Sequence, residues 1–219
     1  MSSMVFLVRG RSVDLVAMTA FNTLRDTLGL GDEILLLNRD DVFVIEGVQP
    51  SDVPAWVEAC KAHQHWFNPN KHRFAACLAR DGAVEAARSG TAWPDPWLER
   101  RVDTDRPDLV AAGPDAGDPL EDWLGLARHE GAFAVPLLAW DREDGIGSLP
   151  GAHWPDPERE RLRGVLWTLV LGAASAEAAR SRAEELAVTR ARRQGLLVHP
   201  HMQGSSFVGP ARSLAPAAT

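Results

Sequence analysis

Two stretches of this chain end alike, and that repetition constrains the fold more than any other feature. A helix-like run closes in Phe67-Asn68-Pro69-Asn70, and a longer one closes in Val198-His199-Pro200-His201. Each run follows an apolar segment of strand character, Val42–Ile45 in the first case and Val165–Val170 in the second. Each is followed by another short strand-like segment. A strand–helix–(Asn/His)-Pro-(Asn/His)–strand order used twice predicts two copies of one small unit with mixed helix and sheet. It also draws attention to two loops rich in imidazole and amide groups.

The first copy reads in full. Met4–Arg9 is strand-like. Val13–Leu28 places Leu15, Val16, Met18, Ala20, Phe21, Leu24 and Leu28 at helical spacing, with Ser12 or Asp14 as the cap and Gly29 as the stop. Glu33–Leu37 and Val42–Gly47 read as a hairpin about the polar turn Asn38-Arg39-Asp40-Asp41. Ser51 caps the next helix, whose apolar side holds Trp56, Val57 and Cys60, and Arg73–Ala79 closes the unit. The order βαββαβ is that of a split βαβ, or ferredoxin-like, unit. In the second copy, Phe133–Trp140, Gly164–Leu171 and Ser205–Val208 are strands, and Ser175 caps a helix running to about Gly195. The expected fold is therefore α+β: tandem ferredoxin-like units with antiparallel sheets and helices on one face. Residues 1–82 form the first unit, 83–130 an acidic Pro- and Trp-rich connection, 131–209 a degenerate second unit and 210–219 a flexible tail. The connection carries Trp93, Trp97 and Trp123, which predicts that it packs over the units, with a short helix at Leu120–Arg128. Another short helix is expected within Asp156–Leu162.

With 45% hydrophobic residues the chain can bury a core. No apolar run is long enough for a transmembrane helix, and the start shows no signal peptide, so a cytoplasmic protein is expected. Cys60 and Cys77 are the two cysteines, which is no disulfide framework. Residues 81–130 hold twelve acidic and five basic side chains, whereas residues 159–219 hold nine Arg against four Glu. No basic stripe with interleaved aromatics accompanies this asymmetry, so nucleic acid is not an expected partner.

Five of the seven histidines lie in or near the two loops: His63, His65, His72, His199 and His201. His199 and His201 flank a proline that favours extended backbone, so both rings can face one way and hold a divalent metal. Asn68 and Asn70 bring amide donors and acceptors, and Lys71, His72 and Arg73 can meet an anion or partner. Arg193, with Arg190 and Arg192, is the matching basic group at the second helix end. The plainer reading of both loops is a pair of helix stops. No phosphate loop, dinucleotide fingerprint or nucleophile elbow is present, so no catalytic residue is assigned.

Ala20-Phe21-Asn22-Thr23-Leu24, Leu28-Gly29, the strand ending Ile45-Glu46 and the helix around Glu58-Ala59-Cys60 that runs into Asn68-Pro69 resemble the small, non-catalytic subunit of bacterial phosphoribosylformylglycinamidine synthase. Glu184-Glu185-Leu186 and Leu196-Leu197-Val198-His199-Pro200 echo the same helix end. The resemblance spans residues 4–80 and 164–209. It implies an α+β sandwich in an accessory role in purine-related biosynthesis. Such a protein supports a larger ATP-dependent ligase or amidotransferase-type enzyme, or associates with itself through its sheets. The alternative is a small-molecule enzyme or binding protein, with a His-, Asn- and Trp-lined cavity between the two units and a metal on His199 and His201.

Overall fold

The computed structural model describes residues 2–29, 31, 33–63, 66–80, 100–102, 129–141, 161–190, 195–208 and 211–215. Among the described residues, eight strands and three α-helices follow in chain order. They are β1 (Ser2–Gly10), α1 (Leu15–Asn22), β2 (Ile34–Val48), α2 (Val53–Ala62), β3 (His72–Arg80), β4 (Arg100–Val102), β5 (Ala132–Asp141), β6 (Arg161–Gly172), α3 (Ala176–Ala187), β7 (Gln203–Phe207) and β8 (Arg212–Ser213). The strands join edge to edge in one antiparallel sheet of order β4-β3-β1-β2-β6-β5-β7, with β8 beside β5.

The two halves pair their strands in the same way. β1 lies between β2 and β3 and is antiparallel to both; β5 lies likewise between β6 and β7. The connection β2–α2–β3 thus crosses over β1, and β6–α3–β7 crosses over β5. His72 opens β3 opposite Gly10, and Gln203 opens β7 opposite Asp141. Two residues earlier on each partner strand, Val8 faces Asp41 and Ala139 faces Val165. Asp41 and Val165 then face each other across the β2–β6 seam. A position that meets its own counterpart marks a local twofold axis, as in an isologous interface.

Helices cover one face. Side chains alternate along a strand, so Met4, Phe6, Val8, Phe43, Ile45, Ala76 and Leu78 share that face and pack with Val53, Trp56, Val57 and Cys60 of α2. Across the seam, Leu37, Val135, Leu137, Trp167, Leu169 and Leu171 pack with Ala17, Ala20 and Leu24 of the α1 segment and Ala179, Ala183 and Leu186 of α3. The other face is buried too, through Val5, Leu7, Val42, Val44, Leu138, Leu162 and Leu166. Cys60 and Cys77 are both buried but belong to opposite faces, so they cannot bond to each other.

Several expectations change. The hairpin of the first unit is one unbroken strand, β2, because its polar middle pairs across the sheet instead of turning. Arg9 grips Asp40 through two hydrogen bonds of 2.6 Å, and Arg39 reaches Asp41 at 2.7 Å. Opposite charges on neighbouring strands stabilise a sheet, so Asn38–Asp41 stays extended opposite Val165–Thr168. Neither half therefore has the four strands of a βαββαβ unit among the described residues. Ser51 lies in a 3-10 turn, Pro50–Asp52, and does not cap α2. The helix after Ser175 stops at Ala187 rather than about Gly195. Gly195, with φ +67°, sits so close to the helix end that a Cβ would strike Val188 O at 2.0 Å, and Val198 bridges Val188 in parallel. The start of the tail is ordered, since Arg212 and Ser213 pair with β5 and Leu214 is buried against Ala132, Ala134 and Val170. Arg161 and Leu162 belong to β6, not to a helix. Of the connection, β4 is described and adds to β3; Trp93, Trp97, Trp123 and the Leu120–Arg128 helix lie outside the described residues.

A candidate docking surface on the first helix

The two Pro loops are built alike. Asn68 O accepts from Lys71 N and His72 N, and His199 O accepts from Met202 N and Gln203 N. Asn68 N donates to His72 Nδ1 at 3.2 Å, and His199 N donates to Gln203 Oε1 at 3.0 Å. In each loop the first residue of the coming strand turns its side chain back to close the turn. Asn68 Oδ1 also accepts from Asn70 N, an Asx turn. His72 is half-buried with its ring near Phe67, and Lys71, Arg73 and Asn70 are exposed. Desolvation, followed by repulsion from Arg9, lowers the pKa of Arg73.

The fold keeps these loops apart. β3 and β7 lie on opposite sides of the seam with four strands between them, a separation of roughly 24 Å at ~4.8 Å per strand. Because β3 and β7 run in opposite directions, their loops also leave opposite ends of the sheet. Asn68, Asn70, Lys71, His72 and Arg73 therefore form one group, and His199 and His201 another. The rings of His199 and His201 are 5.7 Å apart, tilted 54° to each other, and both are exposed in a tight turn closed on His199 O. No third His, Cys, Asp or Glu joins them among the described residues. Glu184, the acidic residue near the second helix end, is held by Arg190. Arg193 and His65 lie outside the described residues, and His63 ends α2 against Trp66.

A different surface stands out in the structure. α1 is apolar nearly all round, so burying Ala17 and Ala20 leaves apolar side chains on the other side. Leu15, Val16 and Met18, with Val13 just before the helix, are exposed, Val13 most of all at 72%. Beside them β2 begins with a register shift between Ile34 and Leu36, a bulge that leaves both Leu35 and Leu36 at about 40% exposed. A groove of about 380 Å³ runs between α1 and this part of β2. Val13, Ala17, Met18 and Phe21 form one wall, Leu35 to Arg39 the other, and the end of β1 closes it. Asp14 caps α1 by accepting from Val16 N and Ala17 N, and it also meets Arg39 at 3.4 Å. Arg9 and Arg39 at the closed end are thus both engaged by aspartates.

Helical spacing alone places Leu15, Val16 and Met18 on the buried side; the sequence signal for this surface is an eight-residue helix without one charge. No family model, curated protein or solved structure matches this chain. No described helix is long and apolar enough to cross a membrane.

Proposed function

We propose that this chain is an accessory protein that docks onto a larger partner through the apolar surface of α1 and the start of β2. The observation that carries the reading is the exposure of Val13, Met18, Leu35 and Leu36 around one groove, with Leu15 and Val16 exposed beside them on the same helix. Scattered apolar residues are normal on a surface, but a contiguous patch beside a groove marks an interaction site. The two polar loops, by contrast, do not converge, and the aspartates at the groove end leave little charge for small-ligand recognition. The resemblance of residues 4–80 and 164–209 to a non-catalytic synthase subunit points to an ATP-dependent ligase or amidotransferase-type enzyme as the partner. The same edge-to-edge strand pairing that joins the two halves is consistent with a scaffold role.

Affinity purification of the tagged full chain from its own cells, beside a Val16→Glu variant, tests this. The wild-type chain is expected to retain a larger ligase or amidotransferase-type enzyme that the variant loses while keeping its melting temperature. Recovery of the same proteins by both, or of no such enzyme by either, would overturn the reading.

A further inference from the structure

We propose that the groove beside α1 receives an extended peptide strand of the partner, which adds to the exposed edge of β2. This rests on the accessory reading above and specifies how the partner is held.

β2 outruns its neighbour. The last register pair between β1 and β2 is Val8 with Asp41, and β1 ends at Gly10. The chain then turns aside, Arg11 N donating to Lys71 O. From Ile34 to Asn38, β6 is the one described strand paired with β2. In an antiparallel pair, alternate residues direct N–H and C=O away from the partner strand. This stretch therefore offers main-chain donors and acceptors along the line that β1 would occupy if it were longer.

Exposed strand edges are usually blunted by charge, proline, a bulge or a covering element; the bulge here lies at Leu35, and from Leu36 onward β2 keeps regular register with β6. This one holds Leu35 and Leu36 and faces Ala17, Met18 and Phe21 across the groove. A strand edge beside an apolar helix wall is the geometry of strand addition, in which main-chain bonds give affinity and alternate side chains give specificity. A helix in the groove would leave the β2 edge unpaired, so the occupant is an extended segment. Arg9 and Arg39 already hold Asp40, Asp14 and Asp41, so the groove does not call for a charged peptide. The fitting segment is uncharged, apolar at every second residue and about five residues long, or roughly 17 Å at ~3.4 Å per residue.

The test uses the full chain to select from a displayed library of random heptapeptides. The best peptide is then synthesised plain and N-methylated on either alternate set of its amides. Enrichment of alternating apolar sequences is expected. N-methylation of one set should weaken binding about tenfold or more and the other by less than about threefold, since one edge of the added strand meets β2 and the other meets solvent. Leu36→Lys and Met18→Glu should abolish binding while melting as the parent does. Absence of enrichment, or equal tolerance of both N-methylated forms, overturns strand addition. If Val16→Glu still loses the cellular partner in that case, the accessory reading survives and only the mode of docking falls; if it does not, both fall.

Discussion

At the scale of single residues, the centre of β2 is decided by one ion pair. Asp40 is fully buried, and Arg9 meets both of its oxygens at 2.6 Å. Removing one partner of a buried ion pair is strongly destabilising, so Arg9→Leu is expected to cost about 3–5 kcal/mol. Arg9→Leu with Asp40→Leu together should cost much less; urea melts of the three variants check the order. Thr168, on the neighbouring strand, is a simpler case. Its hydroxyl is buried without a hydrogen-bond partner, so Thr168→Val is expected to raise stability by about 1 kcal/mol. A fall in midpoint of that size would mean the hydroxyl is bonded after all. The sequence shows Asn38-Arg39-Asp40-Asp41 as four polar residues in a row, which reads as a turn; which arginine neutralises which aspartate depends on strands far apart in the chain. The histidine pair is the opposite case. His199 and His201 are exposed in a turn closed by backbone and Gln203, so replacing both by Asn should change stability by less than about 1 kcal/mol. A larger loss in thermal melts would make these rings structural.

At the scale of elements, two of the three expected caps and most strands follow local rules, Ser51 and the expected hairpin do not, and faces do not. Asp14 and Ser175 both cap as their positions before apolar-periodic runs suggest. Ser175→Ala should cost about 1 kcal/mol, because Ala178 N loses its acceptor; Ser175→Asp should restore most of it, and denaturant curves distinguish the two. The strands Met4–Arg9, Phe133–Trp140 and Gly164–Leu171 were all legible, since apolar β-rich runs bounded by polar residues have one good use. The exposed side of α1 was not. An amphipathic pattern states which residues want burial, but α1 offers too many apolar residues for the sheet to cover. The small ones, Ala17 and Ala20, go inward because they let the helix approach closely. Leu15, Val16 and Met18 are left outside, and the docking surface is made of this surplus.

At the scale of the whole molecule, the β2–β6 seam makes the two halves one body. The ladder runs from Ile34 with Leu171 to Ile45 with Arg161, and the Asp41–Val165 pair sits on the twofold relation between the halves. α1, which follows β1, and α3, which follows β6, share one apolar cluster across it. The halves should therefore unfold together. Tryptophan fluorescence and far-ultraviolet dichroism are expected to give coincident urea transitions, with seam amides such as Leu166 and Val42 among the slowest to exchange; two separated transitions would show that the halves are independent.

The sequence by itself determined the caps at Asp14 and Ser175, most of the strands and the general character of a mixed helix and sheet protein. These depend on residues within a few positions of one another, where side-chain period, caps and proline geometry act directly. Only the tertiary structure decided that β2 is one strand, that the halves join through it and β6, that the Asn and His loops stand at opposite corners of the sheet, and that α1 shows an apolar face. Each of these depends on which distant segment lies alongside. Neutralisation of a buried charge, completion of a strand ladder and covering of a helix face are all supplied by partners that local periodicity does not encode.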